Sequence, residues 1–309
     1  GNDHMFAHSG IILLIIAVAF FLPKALKLST ELSMFVAALA GAAAHSVMLR
    51  VTGSPHNPVS ILPIRHIVEG AFTYFDVCLI FLTATFFMAL LRESGGVAFI
   101  VRKIVSTFHK RRTICLLLLT FVLLLPGALT GSGATTVLTV GALVGAVLSA
   151  MGVDETKRAA IIFLGAAMSA AAPPINLWAM MAAAGANMPY VGFGKPLFIL
   201  SVAGALFSMF WLAGRGEGQV DLDKALANLP EVQEGQSWFR VTFPFALLLA
   251  LVLAGRIWPF SMPVLGLPLL FMIASFAVVL LSPKRLHVWS VACATVHNLT
   301  PLVEIMVVV

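Results

Sequence analysis

Charge is what this chain has least of. Only 10% of its 309 residues are Asp, Glu, Lys or Arg, where soluble domains carry about 25%. With 60% hydrophobic residues and a mean hydropathy of +1.03, that scarcity excludes an ordinary soluble domain and points to an all-α polytopic membrane protein. Cysteine is nearly absent as well. Cys78, Cys115 and Cys293 lie in or beside apolar segments and form no C-x-x-C, which argues against a disulfide framework or a zinc site. They read as small core hydrophobes. The chain has no H-E-x-x-H and no G-x-S-x-G, so an intramembrane hydrolase would lack its machinery and no catalytic residue is assigned. No signal peptide with a cleavage site is evident. The net charge of +6 calls for no nucleic acid, because membrane proteins gather Lys and Arg on the cytoplasmic side for orientation alone.

What the chain has in quantity is long apolar runs. Ser9–Leu22 is the first, extended through Pro23 to about Leu26, and Leu32–Leu49 is the second, rich in Ala and Gly. Small residues let helices approach closely in lipid. Val51–Pro63, with Gly53, Pro55, Pro58 and Pro63, reads as a loop. Ala71–Leu91 is a third span, and Gly95-Gly96 ends it. In Val97–Phe108 the apolar residues Val97, Ile100, Val101, Ile104, Val105 and Phe108 share a helical face, Arg102 and Lys103 lie off it, and Lys110-Arg111-Arg112 follows. A basic amphipathic helix of this kind is expected to lie in the membrane interface.

Thr113–Ala150 is too long for one crossing, since at about 1.5 Å per residue it far exceeds a hydrocarbon core of about 30 Å. Folded at Gly131-Ser132-Gly133 it becomes a hairpin with charged residues at both ends. Ala159–Asn187 follows, interrupted at Pro173-Pro174, and then Pro196–Ala213. Gly214–Ser237 is polar, without apolar periodicity, and reads as a linker outside the membrane. Phe239–Ile257, Met262–Leu281 and His287–Val309 complete the set. The last run stops without a cap, so the expectation is a fragment truncated inside its second half.

Charge placement tests this topology. Putting Lys24, Lys27, Arg92, the basic residues of 102–112, Lys157, Arg158, Arg215, Lys224, Arg240, Lys284 and Arg285 inside leaves only Arg50, Arg65, Lys195 and Arg256 outside. A single crossing by Thr113–Ala150 would destroy that bias, so the positive-inside rule supports the hairpin independently of its length. A weak internal repeat also emerges. Ile67–Phe81 can be laid on Thr295–Val309, which brings Asp76 onto Glu304. The charges give these two spans opposite directions, so the repeat is inverted, an arrangement typical of secondary transporters. Asp76 and Glu304 lie close to helix ends and read as interfacial rather than as ligands.

The two breaks hold the candidate chemistry. At Thr130-Gly131-Ser132-Gly133-Ala134-Thr135-Thr136, one helix would end in free C=O groups suited to Na⁺. The next would begin with free N–H groups suited to a carboxylate. Gly131 and Gly133 allow the turn, and Ser132, Thr135 and Thr136 add hydroxyls. At Ala171-Ala172-Pro173-Pro174-Ile175-Asn176, the prolines free carbonyls around Ala170–Ala172 for a cation. Asn176 caps the resumed helix or reaches the ligand. The Na⁺ set would be Gly131, Ser132, Ala171 and Asn176. No Arg lies at either motif, and neither segment carries the buried mid-membrane carboxylate expected of an antiporter.

A Ser/Thr/Gly hairpin tip facing a helix broken at Pro-Pro-Asn resembles the ion-transporter superfamily. FTYFDVCLIFLTATFFMALLRESGG, followed by a basic arm, is similar to the large membrane subunit of TRAP transporters (DctM-like); the resemblance covers roughly Leu32–Ala213. It implies an elevator-type, inverted-repeat carrier with a re-entrant hairpin, taking up small organic acid anions, C4-dicarboxylate-like, with Na⁺ as coupling ion and no other cofactor. It implies the bacterial inner membrane, a small membrane subunit and a periplasmic substrate-binding protein as partners. The divisions would be scaffold spans over 1–95, an interfacial arm over 96–112, and half a transport domain over 113–187. That half holds the hairpin at 113–150 and the broken helix at 159–187. A further span over 188–213, a linker over 214–238 and the start of a second half over 239–309 would follow. The proline motif also suits a stand-alone dicarboxylate or citrate–Na⁺ symporter, with a Na⁺/H⁺ antiporter as a further alternative.

Overall fold

A computed structural model describes residues 2–51, 69, 72, 75–186, 188–190, 192–214, 221–232, 234–257 and 265–308. The described residues contain helices and no strand. They fall into two compact units, Gly1–Cys78 with Leu299–Val309, and Leu79–Asn298. Five described helices are long and apolar enough to cross a membrane: Thr30–Met48, Phe75–Glu93, Arg112–Thr130, Gly133–Ala150 and Gly194–Ala213. That is the build of a multi-pass membrane protein. The expected Val51–Pro63 loop lies almost wholly outside the described residues, as do six of the fifteen residues of the first copy of the proposed repeat (67, 68, 70, 71, 73 and 74).

In the first unit, α1 (Asn2–Ala25) and α2 (Thr30–Val51) pack side by side. Helix α1 runs straight through Pro23, and Lys27 turns the chain with φ 63. The small face of α2 admits its partner closely: a Cβ added at Gly41 would lie 2.9 Å from Ile16 Cγ1. At the start of α3 (Phe75–Glu93), Asp76 is exposed in the first helical turn. A carboxylate there suits the positive end of the helix dipole. The side chain of Glu304 is outside the described residues.

The second unit is built on an apolar core. Phe87, Leu90 and Leu91 of α3 bury against Val101 and Val105 of α4 (Gly96–Phe108) and against Leu116, Leu119 and Leu123 of α5 (Arg112–Thr130). Val144, Val147 and Leu148 of α6 (Gly133–Ala150) join them. Helix α6 carries a π turn at Val137–Gly141. Then come α7 (Glu155–Ala171), α8 (Leu177–Gly185), α9 (Gly194–Ala213), a short α10 (Leu222–Ala227), α11 (Trp238–Ile257), α12 (Leu267–Leu281) and α13 (Val288–Val308).

Helices α5 and α6 fold back on each other, as the length of 113–150 required. Arg112 closes the base of this hairpin: its Nη1 donates to Met151 O at 2.9 Å and its Nη2 to Ala213 O at 3.0 Å. Each leg has 18 or 19 residues, which at 1.5 Å per residue is about 27–28 Å. Either leg alone nearly matches a core of about 30 Å, so the same-side return is a matter of geometry and leg length alone does not demand a tip short of the far surface.

Several basic residues of this unit lie at that same end, while Lys195 and Arg256 stand at the opposite ends of α9 and α11. Lys284 lies 3.8 Å from Glu93 at the end of α3, an exposed pair that contributes little energy. Phe99 on α4 packs edge-on against Trp238 at the start of α11. Arg102 differs from expectation. It does not project freely from the arm: its Nη1 donates to the carbonyls of Leu226, Leu229 and Pro230 at 2.9–3.1 Å. The segment read as a polar linker contains a six-residue helix capped by a guanidinium, with Ala225 and Leu229 buried in the core. Leu222, Ala225, Leu226 and Leu229 supply that burial from one helical face; their i, i+3, i+4, i+7 spacing is a two-turn signal that the linker reading passed over.

The topology predicts labelling. In a cysteine-free background, single cysteines replacing Lys110 and Lys157 should react with an impermeant maleimide from one side of the membrane, and one replacing Lys195 from the other. Reaction of 110 and 157 from opposite sides would contradict the hairpin.

Candidate functional site

The two helix breaks meet. Helix α5 ends at Thr130, and Gly131 turns with φ 70, a left-handed conformation that favours glycine. Ser132 is extended and caps α6, its Oγ accepting from Thr135 N–H at 3.4 Å. Against this turn lies the second break, where α7 ends at Ala171 and a cis peptide joins Pro173 to Pro174. Ile175 N–H donates to Ala128 O at 3.1 Å, so a carbonyl in the last turn of α5 is satisfied by the other break. A Cβ on Gly131 would lie 2.9 Å from Leu177 Cβ and 3.0 Å from its nitrogen.

Close helix contact holds the breaks in register. Ser169 of α7, which sequence reasoning passed over, is fully buried; its Oγ lies 2.7 Å from Thr136 Oγ1 and donates to Ala166 O. A side chain at Gly127 would overlap Ser169, its Cβ falling 2.6 Å from Ser169 Cβ. Gly133 stands over the Ala166 carbonyl, where an added Cβ would come within 2.8 Å. Buried Thr130 donates to Pro126 O and accepts from Ser132 N–H. Thr139 donates to Thr135 O.

Asn176 is buried, and both ends of its amide are engaged locally. Its Oδ1 accepts from Ala179 N–H at 2.9 Å, capping α8, and its Nδ2 donates to Ala171 O at 3.0 Å. The Ala171 carbonyl, expected to be free for a cation, is thus bridged across the break by an amide. Other oxygens near the breaks are left open. The carbonyls of Gly131, Ala172, Pro173 and Pro174 accept no hydrogen bond among the described residues, nor does the Thr135 hydroxyl engage a partner. The Tyr190 hydroxyl is buried close to the Asn176 backbone, without a hydrogen bond of good geometry. Its burial pushes the phenol above its usual pKa, keeping it a neutral donor. Only its position after the broken helix would have marked it in the sequence.

The site therefore offers uncharged oxygens, helix termini and hydroxyls. No cluster of three or more His, Cys, Asp or Glu exists among the described residues, so a transition-metal centre has no donor set there. Hard cations such as Na⁺ take carbonyl and hydroxyl oxygens. No family model, curated protein or solved structure matches the chain.

Packing at Gly127 makes a direct prediction. Gly127→Ala should lower the thermal stability of the purified protein by roughly 1–3 kcal/mol, the usual range for overpacking. Gly194→Ala, where nothing lies within 4 Å of the added carbon, should leave the melting temperature unchanged.

Proposed function

We propose that this protein is the membrane-embedded carrier of a Na⁺-coupled secondary transporter for small organic acid anions. The observation that carries the reading is the seating of the Gly131–Gly133 break against the Ala172–Asn176 break, with unpaired carbonyls on both. Irregular backbone within a membrane bundle is tolerated where it is buried in protein or lines a wet cavity. Paired half-helix ends at such a place are how secondary carriers hold ions and carboxylates. Carbonyls of Gly131 and Ala172 with the Ser132 hydroxyl suit Na⁺. The N–H groups opening α6, with Thr135, suit a carboxylate. With no arginine at either motif, bound Na⁺ supplies the positive charge that the acid requires.

Several features support the membrane setting. Phe198, Ile199, Leu200, Phe207 and Trp211 of α9 are all more than half exposed, a run that a soluble surface would rarely show. Trp211, Trp238 and Trp289 sit at or near helix ends that meet the basic face, as interfacial tryptophans do. The resemblance to the large TRAP subunit supplies the rest of the proposal: the bacterial inner membrane, an elevator-type inverted repeat, C4-dicarboxylate-like substrates, and a small membrane subunit and periplasmic binding protein as partners.

Deletion of the gene should abolish Na⁺-dependent uptake of at least one C4-dicarboxylate by whole cells. Plasmid copies carrying Ser132→Ala or Thr135→Ala should restore uptake only at raised Na⁺, by roughly tenfold for about 1.4 kcal/mol lost at the site. Uptake by the deletion strain equal to that of the parent across mono-, di- and tricarboxylates would refute the assignment.

A further inference from the structure

An apolar groove of about 290 Å³ lies beside α5, reaching as far as Pro126, five residues before Gly131. Its walls come from Ile100 and Ile104 of α4, Leu118 and Leu125 of α5, Val140 of the π turn and Phe245 of α11, with other apolar side chains between them. We propose that this groove holds one acyl chain of an anionic phospholipid, whose headgroup rests on the basic end of the arm.

Four observations carry this. First, the groove is lined by aliphatic, thioether and aromatic side chains with no charged or hydroxyl-bearing residue among them, and such cavities exclude water. Second, it opens beside Leu117, Phe121 and Leu125, which α5 turns outward at 38–46% exposure. On a helix long and apolar enough to span a membrane, the adjoining medium is lipid. Third, size and direction fit. The groove follows α5 from Leu118 to Leu125, about 10 Å at 1.5 Å per residue, and starts at the arm rather than at mid-depth. Its volume is room for roughly ten water-sized groups at about 30 Å³ each, and a methylene is of that size. Fourth, the charge beside it is positive. Lys103, Lys110 and Arg111 are exposed on and just after α4. Lys103 is held over the Phe99 ring, 5.7 Å from its centre. None of these three is in an ion pair with a described carboxylate. Arg102 is excluded from the headgroup site because the α10 carbonyls occupy it. Basic residues at a membrane surface attract anionic lipid in this manner.

The inference is independent of the transport reading, since it concerns a different face of α5. The test uses the full chain in nanodiscs containing either phosphatidylglycerol or phosphatidylcholine with a diazirine in the acyl chain. Adducts are mapped by peptide mass spectrometry. The expected result is labelling of 97–104 and 118–125, at least fivefold stronger with phosphatidylglycerol. Leu118→Trp, which fills the groove, should cut that labelling at least fivefold, while Leu200→Trp on the outer face of α9 leaves it unchanged. Replacing Lys103, Lys110 and Arg111 together by Gln leaves the groove intact and should bring the two lipids to equal labelling. Labelling of the groove no stronger than that of α9, or insensitivity to both variants, would each overturn the proposal.

Discussion

Every backbone polar group taken into a membrane bundle must find a partner there, and in this protein two interrupted helices provide partners for each other. The Ile175 N–H reaches the Ala128 carbonyl, and Asn176 spans its own break through Ala171 and Ala179. Each interruption alone would strand donors and acceptors where water cannot reach them, at a cost of several kcal/mol per group. Together they leave a limited set of carbonyls unpaired. The small residues around the breaks follow from this: Gly127, Gly133 and Ser169 are what allow α5, α6 and α7 to come close enough for the exchange.

Much of this arrangement was legible in the sequence, because the signals were strong and local. Two legs too long for one span, a Gly-Ser-Gly tip, basic residues at both ends and a Pro-Pro-Asn motif specified both the hairpin and the second break. That the breaks would lie against each other followed only by analogy with transporters. The structure supplies the contact, through Ile175 and Leu177 against the Gly131 turn. What could not be read was the partner of each polar group. The Ala171 carbonyl was expected to be free and is taken by Asn176, while Ala172 remains open. Ser169 carried no motif. It is a small residue on an apolar helix until the fold places it opposite Thr136.

The connection between the arm and the hairpin was equally hidden. An arginine beside a lysine on a basic helix reads as a solvated or headgroup-facing charge. Arg102 instead caps a short helix more than a hundred residues away, which buries Ala225 and Leu229 over the arm and the end of α6. Arg112 does comparable work at the hairpin base by joining Met151 and Ala213. Guanidinium forks suit this role because one planar group can serve several carbonyls without losing its charge. In both cases a positive residue that orients the chain in the membrane also ties helix ends together on the basic side.

The contact between the two broken helices is most directly tested by disulfide trapping in native membranes. With Cys78, Cys115 and Cys293 replaced, Thr136→Cys with Ser169→Cys places two thiols where hydroxyls lie 2.7 Å apart, within the reach of a disulfide. Mild oxidation should cross-link this pair rapidly and nearly completely, while Ser132→Cys with Ser208→Cys stays reduced. Failure of the 136–169 pair to form, in protein that is correctly inserted by the labelling criteria above, would contradict the account.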